Sequence, residues 1–221
     1  MSDVSLETIE ARTHGRFLVR VPDAAPPWPL LVGFHGYAET ADDHMEALRT
    51  IPGTPDWLLV SVQALHPFYT RKDRVVASWM TREDRALAIA DNIEYVGRVL
   101  GRVRAEYQTG PLVFSGFSQG AAMAYRAAAH YRAAALIILA GDVPPDVAEA
   151  RVPLPPVLIG RGTRDEWYTE AREAADRAAL ANIDARVQVC VFDGGHEWTD
   201  AFRTAAAAVL RGISSTEAAH R

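Results

Sequence analysis

The sequence predicts an α/β fold, a mostly parallel sheet with helices on both faces. Three observations predict it. Residues 29–34, 57–62, 135–140 and 157–160 are short continuous apolar runs, the mark of strands buried on both faces. Helical patterns lie between such runs, and strands alternating with helices build a parallel sheet. The chain has 221 residues, 49% hydrophobic and 23% charged, enough for one well-cored domain. A single domain over 1–221 is therefore expected, without internal repeats.

Taken in order, residues 1–15 are polar and poorly periodic, an N-terminal arm or an edge strand. Phe17 to Val21 alternates as a strand does, and Pro22 with Pro26 and Pro27 ends it. The buried strand at 29–34 runs into His35-Gly36-Tyr37. Residues 42–50 read as a helix with Met45 and Leu48 on one side, and 57–62 as the next buried strand. Residues 63–80 read as an irregular connection long enough to be functional, with a basic patch at Arg71, Lys72 and Arg74; lid action is left open. Thr81 and Asp84 suit a helix N-terminus, and Ile89, Ile93, Val96, Leu100, Val103 and Tyr107 then form one apolar stripe. Gly110-Pro111 stops that helix.

Val113-Phe114-Ser115-Gly116-Phe117-Ser118-Gln119-Gly120 follows, an apolar strand running through Gly-x-Ser-x-Gly into an alanine-rich helix. Beyond the strand at 135–140 lies a proline-rich connection, and the strand at 157–160 ends at Gly162-Thr163-Arg164-Asp165. A helix over 169–181 and a strand over 186–192 lead to Asp193-Gly194-Gly195-His196. Thr199 caps a last helix with Phe202, Ala206, Val209 and Leu210 inward; Gly212 ends it, and 213–221 read as a frayed tail.

Composition narrows the function. A net charge of -5 argues against a broad basic face for nucleic acid. The one cysteine, Cys190, reads as a buried inert thiol in a strand, and no metal-binding constellation or glycine-rich phosphate loop is visible, so neither metal nor cofactor is expected. The first residues have neither a basic segment nor an apolar stretch, and no apolar run has the length of a membrane span, so the expected compartment is the cytoplasm.

The chemistry centres on Ser118. A serine at a sharp strand-to-helix turn is lifted out of the sheet, at a helix N-terminus that favours negative charge, and glycine at 116 and 120 relieves crowding. The alternative is a tight turn that happens to hold a serine. A serine hydroxyl needs a base near neutral pH, and a carboxylate must orient that base. Asp165 and His196 follow Ser118, each just past a strand, and a parallel sheet gathers such ends at one edge. Asp142, one strand earlier, competes with Asp165, whose other reading is a helix cap. Asp193 is too near His196 along the chain to stand behind it. His35 reads as a loop brace; His44, His66 and His130 are poorly placed. The backbone N–H groups of Tyr37 and Gln119 are the expected oxyanion donors.

Gly116-Phe117-Ser118-Gln119-Gly120, with Leu31 to Gly36 upstream and Gly194-Gly195-His196-Glu197 downstream, resembles the phospholipase/carboxylesterase family of α/β-hydrolases, which includes the acyl-protein thioesterases. The resemblance covers the chain from residue 29 to the last helix. It implies an α/β-hydrolase fold without a large cap, no cofactor, and hydrolysis of small-molecule carboxylic esters or thioesters. Ser78-Trp79-Met80 resembles a segment lining the acyl site, which makes Trp79 a substrate-contact candidate. Ala121 stands where many members have glycine, Glu166-Trp167-Tyr168-Thr169 where many have a Val-Pro turn, and Tyr37 where a small aliphatic residue is common. Trp167, Tyr168, Phe68 and Tyr69 are thus candidates to crowd the mouth of the site, or else loop-packing aromatics. A non-catalytic binding protein and a small serine peptidase remain the competing readings. A homodimer is compatible with the chain but specified by no feature of it.

Overall fold

The apolar runs become strands because a sheet buried on both faces is the one place where every residue of such a run can leave water. The structure, a computed structural model, describes residues 4–218. In chain order the elements are β1 (Phe17–Arg20), β2 (Trp28–Phe34), α1 (Ala41–Arg49), β3 (Leu58–Val62), β4 (His66–Tyr69), β5 (Val75–Ser78), α2 (Arg85–Glu106), β6 (Thr109–Phe117), α3 (Gln119–His130), β7 (Ala135–Leu139), α4 (Pro145–Ala150), β8 (Val157–Gly162), α5 (Glu170–Ala181), β9 (Val187–Phe192) and α6 (Asp200–Ala218). The main sheet has seven strands in the order β1-β3-β2-β6-β7-β8-β9. Only β1 runs antiparallel, against β3; the other pairings are parallel. Every residue of β3, β7 and β8 is buried. Parallel pairing puts the ends of β2, β6, β7, β8 and β9 at one edge, where the polar residues singled out above emerge.

Several expectations are corrected. Residues 63–80 hold a hairpin, β4 against β5, instead of irregular chain. Its first strand is largely exposed and carries no apolar signal; what anchors this two-stranded ribbon is an Ala77 bridge to Glu39 and an Arg74–Asp43 ion pair. The Thr81 hydroxyl accepts from the Glu83 N–H instead of capping α2, which starts at Arg85 after a left-handed Asp84. Part of the proline-rich connection forms α4. Helix α6 runs through Gly212 to Ala218, since Ile213 packs against the core; of the expected frayed tail, residues 219–221 lie outside the described residues. Residues 4–16 form neither helix nor strand, and Cys190 is half-buried. Among the described residues, no helix is long and apolar enough to cross a membrane.

Candidate active site

Strand β6 ends at Phe117 and α3 begins at Gln119, leaving Ser118 alone to make the turn. Its backbone is strained, at φ 53° and ψ −119°, and its N–H donates to the Leu139 carbonyl of β7 at 2.9 Å. The flanking glycines are required by space. A Cβ on Gly116 would lie 2.4 Å from the Gly120 carbonyl oxygen, and one on Gly120 would lie 2.0 Å from that of Phe34. The elbow therefore rests directly on the end of β2.

The chain leaving β2 is braced from below. His35 is buried; its Nδ1–H donates to the Gly36 carbonyl at 2.7 Å and its Nε2 accepts from the Ala64 N–H at 3.1 Å. Both nitrogens are used by a neutral ring, and burial pushes its pKa down. Gly36 to Glu39 forms a turn closed twice. The Glu39 N–H donates to the Gly36 carbonyl at 3.3 Å, and the Gly36 N–H donates to Glu39 Oε2 at 2.6 Å. Tyr37 is the second residue of that turn, a position whose N–H the turn itself does not use. Its ring points outward, 60% exposed, and stacks on Phe68 at 5.4 Å.

Gln119 opens α3, so its N–H has no acceptor within the helix. Its side chain spans to the end of the hairpin, where Oε1 accepts from the Trp79 N–H at 2.9 Å and Nε2 donates to the Met80 carbonyl at 3.0 Å. Trp79 is fully buried. Its indole N–H donates to the His35 carbonyl at 2.8 Å and its ring meets Phe34 edge-on. The expectation that Trp79 touches substrate is therefore corrected: it is packed beneath the loops, with no surface to offer.

Asp165 and His196 are brought together. Asp165 Oδ2 accepts from His196 Nδ1 at 2.9 Å, while Oδ1 accepts from the Trp167 and Tyr168 N–H groups, both at 2.8 Å. The Asp165 side chain is 0% exposed and that of His196 is 24% exposed, so the carboxylate is sealed and the imidazole is open on one side. With the Nδ1 proton facing a carboxylate, Nε2 is the basic nitrogen. The two loops are stitched by main-chain bonds, Thr163 N–H to the Phe192 carbonyl at 2.9 Å and Arg164 N–H to that of Gly194 at 2.8 Å. The His196 ring lies over Phe117, the residue before Ser118, with centroids 5.0 Å apart. Among the described residues no hydrogen bond joins the Ser118 hydroxyl to His196; Phe117 is what places them at the same spot on the sheet edge.

No protein-family model matches the chain, and no curated protein matches it in sequence. Solved structures do match. The acyl-protein thioesterase 2 of Zea mays superposes with a TM-score of 0.70 at 18% identity, over 90% of this chain and 99% of that one. Esterase PE8 gives 0.69 at 26% identity, over 90% and 98%. A phospholipase/carboxylesterase from Dyadobacter fermentans gives 0.67 at 20% identity, over 89% and 97%. The chain has the α/β-hydrolase fold. These neighbours are of the thioesterase and phospholipase/carboxylesterase kind that the motifs resemble.

On this hydrolase fold the rival candidates are otherwise engaged. Asp142 pairs with Arg172 at 2.7 Å, and Asp193 pairs with Arg164. Asp165 does not cap α5, whose N-cap is Thr169. His44 is buried with no partner at either ring nitrogen, and His66 and His130 are exposed on β4 and at the end of α3. Of the aromatics expected at the mouth, Trp167 is 74% and Tyr69 73% exposed, and Phe68 is half-buried. Tyr168 is corrected to a buried residue, its hydroxyl donating to Asp176 Oδ2 at 2.8 Å. Reasoning from sequence misses three neighbours of the site: Phe117, Trp198, which packs on Phe117 and on His44, and Glu39. The middle residue of the Gly-x-Ser half, Phe117, is a signal that could have been read. Trp198 and Glu39 carry no such signal.

Proposed function

We propose that this chain is a serine hydrolase that cleaves carboxylic esters or thioesters through an acyl-enzyme. The observation that carries the reading is the sealed Asp165 carboxylate bonded to the Nδ1 side of His196, over the residue adjoining a strained serine. Ser118 Oγ attacks the acyl carbon as its proton passes to His196 Nε2. The oxyanion so formed is held by the N–H groups of Tyr37 and Gln119, a reading supported by the close approach of Gly120 in α3 to the end of β2. Collapse breaks the bond to the alcohol or thiol, which leaves with the proton from His196. Water then gives its proton to His196 as it attacks the acyl-Ser118 ester, and collapse breaks the bond to Ser118 Oγ, which takes that proton back from His196 as the acid is released. Asp165 stays ionised throughout and steadies the imidazolium. The hydrogen bond from Ser118 to His196 closes when substrate is bound, as is common for such pairs. Ser78 to Met80 shape the floor through Gln119 without touching substrate, and the exposed Trp167 and Tyr37 rings border the entrance.

Hydrolysis of a p-nitrophenyl ester tests the reading. Ser118→Ala lowers kcat by about 10⁴-fold or more with an unchanged melting profile, and a fluorophosphonate probe labels the parent at Ser118. A folded Ser118→Ala variant with parental rates rules out this nucleophile.

A further inference from the structure

We propose that Glu39 is a positioning residue: its carboxylate closes the turn that presents the Tyr37 N–H to the reacting acyl group. The proposal rests on the function proposed above. Gly36 and Glu39 exchange two hydrogen bonds, one main-chain at 3.3 Å and one through Glu39 Oε2 at 2.6 Å. Tyr37 lies between them, so the orientation of its N–H is set by how tightly that ring is held. The far side of the turn is fixed by β5, where the Ala38 N–H donates to the Ala77 carbonyl and the Ala77 N–H to that of Glu39, both at 3.0 Å. On the near side the Gly36 carbonyl also accepts from His35 Nδ1 at 2.7 Å, while the Gly36 N–H is held by the Glu39 carboxylate. A Cβ on Gly36 would meet Glu39 Oε2 at 3.0 Å and Phe117 Cδ1 at 3.1 Å, so the carboxylate and the platform under His196 enclose the same residue.

Glu39 is half-buried, yet among the described residues it has no ion pair; Arg74, the cation nearby, is bonded to Asp43. Burial pushes Glu39 up from the ordinary carboxylate range. The Gly36 N–H, His196 and Arg74 draw it back down, and Asp43 of α1 adds to the rise.

Kinetics of the parent, Glu39→Ala, Glu39→Gln and Ser118→Ala on p-nitrophenyl acetate, with melting curves for each, test this. Glu39→Ala lowers kcat about 10- to 100-fold, with KM within about threefold, because a misaimed donor fails chiefly in the transition state. Glu39→Gln, whose amide oxygen can accept from the same N–H, recovers kcat to within about threefold of the parent. A kcat for Glu39→Ala within twofold of the parent overturns the proposal, as does a Glu39→Gln variant no faster than Glu39→Ala. Should Glu39→Ala fail to fold, Glu39→Asp decides: its carboxylate is one methylene short of the Gly36 N–H, so a kcat about 10-fold down with KM within about threefold supports the role, and a kcat within twofold of the parent removes it. An inactive parent, or a Ser118→Ala variant that keeps parental rates, instead overturns the reading of the site on which the role depends.

Discussion

The Ser118 elbow and the Asp165–His196 pair meet at one sheet edge, but they are built by different means. The elbow is a backbone construction. Its geometry comes from a residue at φ 53°, from an N–H tied to Leu139, and from two glycines whose hydrogens face carbonyl oxygens. The carboxylate–imidazole pair is a side-chain construction, a buried carboxylate with three donors aimed at it, carried on two loops. The difference teaches where each can fail. The elbow tolerates no added atom, and its failure reaches the core through β2. The pair tolerates an isosteric change in shape and fails in chemistry alone.

Three substitutions sharpen or break this contrast. Asp165→Asn keeps the shape but puts the wrong atom before His196 Nδ1. It should lower kcat by about 10⁴-fold while melting shifts by only a few degrees; a large loss of stability would make the pair structural as well. Gly120→Ala should do the reverse. With its Cβ placed 2.0 Å from the Phe34 carbonyl oxygen, folding stability should fall by about 4 kcal/mol or more, and activity should fall with it. Parental melting for this variant, measured by circular dichroism, would end the claim that close approach builds the elbow.

The smallest of the three effects concerns His44, which lies where the two regions touch. Its ring meets Trp198 of the His196 loop at 5.9 Å and crowds Gly33 of β2. Burial, aided by His35, holds its pKa down to about 3, so the folded protein keeps it neutral. The unfolded chain takes up a proton as pH falls below the ordinary imidazole value, so this residue contributes a loss of stability that grows from about pH 6.5 towards pH 3. His44→Leu removes two unpartnered nitrogens and that penalty. Its melting advantage over the parent should widen as pH is lowered from 7 to 4. A gap that is constant with pH would show that His44 does not control acid stability.

Much of this was legible in the chain, for reasons that differ by residue. The strands at 29–34, 57–62, 135–140 and 157–160 were legible because burial on both faces keeps them apolar along their length, with Ser61 the one polar exception. Asp165 and His196 were legible because each stands just past a strand and in the required order. The hairpin of β4 and β5 was not, since β4 is largely exposed and carries no periodicity, and β5, buried at Val76 to Ser78, is only four residues long. Trp79 was misread for a related reason. Its neighbours in sequence resemble an acyl-site lining, whereas its burial comes from Phe34 and the His35 carbonyl, some 44 residues away along the chain.

Local patterns determined by themselves the class of fold, the order of its strands along the chain, and the residue types available for proton transfer. These depend on periodicity and on backbone freedom, which act within a few residues. The tertiary structure alone decided that Phe117 would be the surface beneath His196 and that Glu39 would close the turn beside Ser118. Those outcomes are contacts between segments joined only by sheet pairing. Pairing brings together residues whose neighbours in sequence bear no mark of the meeting.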